Sequence, residues 1–168
     1  MLKTDISGVT LEAIKARSKL LGSHLIRTPT TQVTSERLSE MLSGAQIFLK
    51  LECFQYTGTF KARGALSVAY HIPDAHKSNG ITAASAGNHA IAAAWAAAVF
   101  GLSAKVVMQS TANPFRVKMA RSQGAELVIK EPGAPTFAEA ERLVKEEKRT
   151  FIHPFEGIHT SLGTAGVG

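Results

Sequence analysis

One cysteine, Cys53, stands among 168 residues, so no internal disulfide can staple the fold, and the chain suits a reducing cytoplasm. Coming just after a strand-like segment, Cys53 reads as a small buried residue rather than a nucleophile. Long apolar runs are also missing. The longest, residues 90–102, has 13 residues, where a bilayer span needs roughly 20. It reads as a buried alanine-rich helix, and no membrane role is expected. No basic stretch followed by an apolar core opens the chain, so no secretory signal is apparent. The six histidines form no HExxH or other zinc spacing. His71 and His76 lie in a polar connection, and His153 and His159 flank a turn, which predicts surface positions. No GxSxG elbow surrounds Ser85, and no GxxxxGK[ST] loop occurs, which removes the usual hydrolase and nucleoside-triphosphate readings.

What is present describes an ordinary globular domain. Hydrophobic residues make up 45% and charged residues 19%. At this length a single domain buries roughly 70% of its unfolded surface. Nineteen basic against 13 acidic residues give a net charge of +6. The positive residues are scattered and not interleaved with aromatics, so a preference for phosphate or carboxylate ligands is expected rather than nucleic-acid binding.

The order of elements is regular. Thr10 caps a helix that Gly22 closes, with Val9 and Ile14 spaced as a hydrophobic staple. A short helix over 35–42 carries Leu38, Met41 and Leu42 on one face, and residues 46–52 alternate as a strand. A helix around Lys61 ends before Pro73. From Gly80 strands and helices alternate: strands over 81–84, 104–108, 127–129 and 150–152, helices over 88–100 and from Asn113-Pro114 to Gly124. Thr136-Phe137-Ala138-Glu139 reads as a capping box for a helix running to about Lys148. The terminal Gly163-Thr164-Ala165-Gly166-Val167-Gly168 has GxxGxG spacing and reads as the start of another helix. Such alternation predicts α/β architecture: a doubly wound parallel sheet with helices on both faces. No repeat and no long linker divides it.

Two segments carry chemistry. Thr57-Gly58-Thr59-Phe60-Lys61-Ala62-Arg63-Gly64-Ala65 places a lysine in the first turn of a helix after a glycine-bearing loop. A close-packed, partly apolar setting, the positive helix end and Arg63 would disfavour its ammonium form, as a Schiff-base lysine requires. Read alone, Lys61-Ala62-Arg63 also fits a solvated helix face. The second segment, Thr82-Ala83-Ala84-Ser85-Ala86-Gly87-Asn88-His89-Ala90, leaves the carboxyl end of a strand and opens a helix, where backbone N–H groups can cradle a carboxylate. It equally fits an ordinary turn in which Ser85 or Asn88 caps the helix.

Together, in this order and separation, the segments resemble the lysine motif and substrate-carboxylate loop of the threonine/serine dehydratase and serine racemase family, the fold-type II pyridoxal-phosphate enzymes. The likeness runs from near Ile6 to the last residue. It implies the N-terminal portion of such an enzyme over 1–168, with 53–155 as its smaller βα domain and the sheet incomplete at the C-terminus. It implies that Lys61 holds pyridoxal 5'-phosphate, that Phe60 packs on its ring and that Asn88 bonds its phenolic oxygen. Ser85, Gly87, Asn88 and His89 would hold the carboxylate of a small amino-acid substrate. The implied reaction converts serine or threonine to a 2-oxo acid and ammonia. Ala62 and His89 resemble the dehydratases, and Ala86 stands where the racemases use a serine, which disfavours racemisation. Tyr56 replaces a common proline and Ile91 a common glutamine. The family's glycine-rich phosphate loop and its partner for the pyridine nitrogen are not found. A catalytically silent piece, a homo-oligomer, or a fold completed by another chain are the expectations that follow.

Overall fold

The computed structural model describes residues 7–168; Ile6, where the family likeness begins, lies outside them. The Thr10 hydroxyl accepts from the Ala13 amide at 3.2 Å and opens α1 (Leu11–Leu21). Gly22 does not close this helix in a left-handed turn: its φ is −59°, and the chain runs on through a 3-10 turn, Gly22–His24. An unexpected strand, β1 (Thr30–Val33), pairs antiparallel with β2 (Ile47–Lys50). Its one apolar residue gives no alternation to read. Between them α2 (Glu36–Met41) is capped by Ser35. Its apolar residues Leu38 and Met41, and Leu42 at its C-terminal cap, are exposed rather than buried. β2 ends two residues before the expected limit, because Glu52 enters a 3-10 turn, Glu52–Phe54, in which Cys53 is exposed and not buried.

α3 (Lys61–Tyr70) and a short α4 (Asp74–Lys77) precede the regular part. There follow β3 (Ile81–Ala84), α5 (Asn88–Val99), β4 (Ala104–Gln109), α6 (Pro114–Ser122), β5 (Glu126–Lys130), α7 (Ala134–Glu147), β6 (Thr150–Phe151) and α8 (Ile158–Ala165). The four strands form one parallel sheet in the order β5-β4-β3-β6. Side-chain alternation splits the core. Ala83, Val106 and Met108 join α5 and α3 in the larger cluster, whereas Ala84 and Val107 face Ala140 and Leu143 of α7. Helices therefore cover both faces, with α3 and α8 forming an outer layer on α5's side.

Three expectations are corrected by side-chain partners. The capping box is not made: α7 starts earlier, at Ala134, the Thr136 hydroxyl donates to the Glu131 carbonyl at 2.9 Å, and Glu139 pairs with Arg142 and Lys130. The glycine-rich end does not begin a helix; Gly163 lies within α8, pressed on α3. His71 and His159 are half-buried rather than surface groups. Their rings stack at 4.3 Å, beside an Arg17 guanidinium 3.2 Å from His159 Nδ1 and bonded to Ser67. That cluster ties α1, α3 and α8 together.

β3 and β6 are parallel neighbours, so their carboxyl ends lie side by side, followed by α5 and α8. The crevice outside the carboxyl strand ends is where open α/β sheets bind ligands.

Candidate functional site

Lys61 is the first residue of α3, behind Phe60, and its ammonium reaches this crevice. Nζ donates to the Pro154 carbonyl at 2.6 Å and lies 4.0 Å from the centre of the Phe155 ring and 5.1 Å from that of Phe60. Burial lowers the Lys61 pKa below the ordinary lysine value. Arg63, expected to share in that effect, instead turns away to a bidentate ion pair with Glu52, 2.8 Å at each contact. Phe60, Lys61, Pro154 and Phe155 line one side of a cavity of about 460 Å³ closed by Thr160 and Thr164 of α8. In the loop before Lys61, the buried hydroxyls of Thr57 and Thr59 have no hydrogen-bond partner. An orphaned buried hydroxyl is costly unless a ligand completes it.

Beyond β3 the second segment takes up its turn. Ser85 donates its backbone N–H to Val107, which continues the sheet, and its hydroxyl accepts from the Gly87 amide at 3.1 Å. Asn88, exposed, is the first residue of α5, so its amide and that of His89 fall where a helix has no carbonyl to offer them. The His89 side chain is not free for a ligand. It is buried, and Nε2 donates to the Ile152 carbonyl at 2.8 Å, which pins β6 against α5. Burial pushes its pKa down to about 4, and the charges of Lys61 and His153 press the same way. Only the backbone of His89 remains to meet a ligand.

Tyr56, the residue in place of a proline, stacks on Trp95 with centroids 5.6 Å apart and fastens the lysine loop to α5; Ile91 is buried in the core. The sequence carries no warning of two further groups. Pro154 and Phe155 meet Lys61 only because β6 lies beside β3. Arg116 of α6 sets its guanidinium against Gly87: a Cβ added there would lie 2.8 Å from Nη1. Among the described residues no group of three or more histidine, cysteine, aspartate or glutamate side chains could hold a metal, and no helix is long and apolar enough to cross a membrane.

Comparison with known proteins agrees with this fold. The chain is 42% identical over 165 residues to the phenylserine dehydratase of Ralstonia pickettii, covering 98% of this chain and 51% of that protein. It is 35% identical to the catabolic L-threonine dehydratase of Staphylococcus aureus, covering 95% of this chain and 46% of that protein. The serine racemase of Dictyostelium discoideum superposes with a TM-score of 0.85 at 25% identity, over 96% of this chain and 52% of that one. The serine racemase of maize does so with a TM-score of 0.85 at 28% identity, over 94% and 47%. The chain thus spans about half the length of the relatives it matches. The sequence model described as "Pyridoxal-phosphate dependent enzyme" matches residues 23–168, and the chain belongs to that family.

Proposed function

We propose that these residues form the lysine-bearing half of a pyridoxal-phosphate-dependent ammonia-lyase acting on a β-hydroxy amino acid. The observation that carries the reading is the partly desolvated Lys61 amine at the crevice beyond β3 and β6, with the Ser85–His89 turn opening from the adjacent strand end.

The residues present fit the cofactor's ring and aldehyde. Phe60 and Phe155 offer aromatic surface, Lys61 an amine that burial biases toward its neutral form, and Thr57 and Thr59 unsatisfied hydroxyls. When bound, the cofactor supplies an electron sink for the pair left on the substrate's α-carbon. The protein's own part is proton movement and orientation. The backbone N–H groups of Asn88 and His89, with Gly87, take the substrate carboxylate, and the Asn88 side chain is left to face the cofactor. The Lys61 amine removes the α-proton. The C–H pair then forms the Cα–Cβ double bond as the Lys61 ammonium passes that proton to the β-hydroxyl, which leaves as water. The enamine released hydrolyses to a 2-oxo acid and ammonia. Ala86 cannot deliver a proton to the opposite face, which favours elimination over racemisation. The apolar lining from Phe60, Phe155 and Val9 suits an apolar β-substituent, in keeping with the 42% identical phenylserine dehydratase.

A second reading is a fold that does no chemistry by itself and associates with another chain. The exposure of Met41, Phe48 and Leu49 on α2 and β2 favours it. Mixing the purified chain with pyridoxal 5'-phosphate, reducing with borohydride and mapping the adduct by peptide mass separates the two. A visible absorption band and a single adduct on Lys61, lost in Lys61→Ala, support the lyase reading; serine, threonine and phenylserine are then assayed for 2-oxo acid release. A folded chain whose lysines are labelled indiscriminately would leave only the second reading.

A further inference from the structure

Arg17 is only 8% exposed, yet no carboxylate among the described residues pairs with it. Buried cations ordinarily have such a partner. Here a hydroxyl and a ring nitrogen stand in. The guanidinium donates to Ser67 Oγ and, at 3.3 and 3.2 Å, to His159 Nδ1. A guanidinium has donors alone, so His159 Nδ1 is bare and its ring proton sits on Nε2. Ser67 Oγ in turn donates to the His159 carbonyl at 2.6 Å. His71 Nδ1 meets the Ser67 carbonyl at 2.8 Å; a carbonyl only accepts, so this ring is protonated at Nδ1 and bare at Nε2. The two rings stack at 4.3 Å. Every bond of the cluster is therefore made with both histidines neutral.

We propose that Arg17, His71 and His159 form an acid-released clamp, which holds α1 and α8 on α3 while both rings are neutral and loosens them when either ring takes a proton. A proton on His159 Nδ1 would point at the guanidinium and break both Arg17 bonds. A proton on His71 Nε2 would set a cation in the stack, beside a guanidinium that is already buried. The groups facing the rings offer no relief. Arg17 comes from α1 and Tyr70, beside His71, from α3; His153 and Glu156, in the turn before α8, line the cavity at His159. His153 accepts the Phe155 and Glu156 amides through Nδ1, and the exposed Glu156 carboxylate bonds to neither ring. The first turn of α8 disfavours charge on His159, whereas the end of α3 favours it on His71. Burial lowers the pKa of both histidines; the Ser67 bond opposes this at His71, while Arg17, and His71 at His159, press the same way. What the clamp controls is a wall of the Lys61 cavity, which Val9, just before α1, and Thr160, Ser161 and Thr164 of α8 line. Its value as a control on that site rests on the lyase reading; the clamp itself does not.

The test is backbone hydrogen exchange by mass spectrometry on the 168-residue chain at about pH 7.5 and about pH 5.5, corrected for the intrinsic effect of pH. It reads the helices alone, so its outcome is independent of cofactor binding. Protection of the α1 and α8 amides should fall on acidification while α5 and β4 keep theirs. The fall is up to about tenfold for each histidine, the ratio of charged to neutral imidazole at that pH for an ordinary pKa of 6.5. His71→Asn with His159→Asn keeps a donor for the Ser67 carbonyl and an acceptor for Arg17 but cannot titrate. This double variant should match the wild type at the higher pH and hold its protection at the lower. A double variant that still loses α1 and α8 on acidification overturns the clamp, as does a wild type that loses protection evenly or not at all. Where the double substitution already loosens α8 at the higher pH, His71→Asn alone, which leaves the Arg17 bonds in place, decides: a smaller acid effect than in the wild type supports the clamp, and an equal one overturns it.

Discussion

The ammonium of Lys61 sits over the face of Phe155, 4.0 Å from the ring centre, and donates to the carbonyl of the preceding Pro154. Both contacts favour the charged amine, by cation–π attraction and by a hydrogen bond. Burial opposes them, and the net direction is a lowered pKa. The loop after β6 therefore holds the amine in place while also keeping water from it.

Which effect of Phe155 dominates can be measured. If desolvation wins, Phe155→Ala lets water in and raises the Lys61 pKa toward the ordinary lysine value, despite the lost cation–π contact. Reductive methylation with a carbon-13 label and NMR titration of the Lys61 methyl signals reads this directly. In the wild type the Lys61 signal should titrate at the low end of the lysine signals. A further fall in Phe155→Ala would mean that the ring acts mainly as a cation partner.

His89 gives the fold a pH dependence of definite sign. Its pKa is pushed down to about 4 from an ordinary 6.5, so between these values the unfolded chain binds a proton that the folded chain refuses. Stability is then full above 6.5 and falls as the pH drops toward 4, by roughly 3 kcal/mol from this group. His71 and His159, also lowered by burial, add to the loss in the same direction. Urea midpoints measured from neutral pH down to mildly acidic pH should decline steadily. His89→Gln, which retains a donor for the Ile152 carbonyl, should flatten that slope by about one proton. An unchanged slope would assign the dependence to other groups.

The parallel sheet was legible because β3, β4 and β5 are short, apolar and spaced by helices with clear ends, and local pattern decides such elements. What escaped depended on distant pairing. Thr30–Val33 carries one apolar residue and becomes a strand only against Ile47–Lys50. Arg63 lies two residues from Lys61 in sequence, but the helix turns it toward Glu52 and away from the crevice. Pro154 and Phe155, the partners of Lys61, are brought to it by the β3–β6 pairing. His71 and His159 read as surface groups because no local pattern places α8 on α3. At the lysine and the β3 turn, residue types announce chemistry.

The Arg63–Glu52 pair predicts a large loss from a small change. Burial pushes the Glu52 pKa up, but the Arg63 fork, the Thr28 hydroxyl at 2.5 Å and the Lys50 charge outweigh it, and the net shift is downward. Glu52→Gln removes the countercharge and leaves the Arg63 guanidinium buried. The expected cost is about 3–5 kcal/mol, read by urea denaturation. Replacing both partners, as Glu52→Leu with Arg63→Met, should recover most of that, because no buried charge is left unpaired. A double variant as unstable as the single would show that the pair supplies more than mutual neutralisation, for instance the link from Glu52 to Thr28.

Glycine-to-alanine substitutions at two helix positions should move stability in opposite directions. At Gly163, inside α8, a Cβ would lie 2.5 Å from the Arg63 carbonyl oxygen and 2.5 Å from Ser67 Cβ. Neither is the end of a flexible chain, so α8 must lift from α3. The overpacking cost of about 1–3 kcal/mol exceeds the roughly 1 kcal/mol that alanine gains in helix propensity. A fall in Tm of about 2–6 °C is expected for Gly163→Ala. At Gly22 the φ is −59° and a Cβ meets nothing within 4 Å. There alanine only restricts the unfolded chain, and Gly22→Ala should raise stability by about 0.4–1 kcal/mol. Paired thermal scans decide the matter: if Gly163→Ala is as benign as Gly22→Ala, the close seating of α8 on α3, and with it the wall of the Lys61 cavity formed by Thr160 and Thr164, is looser than the packing distances imply.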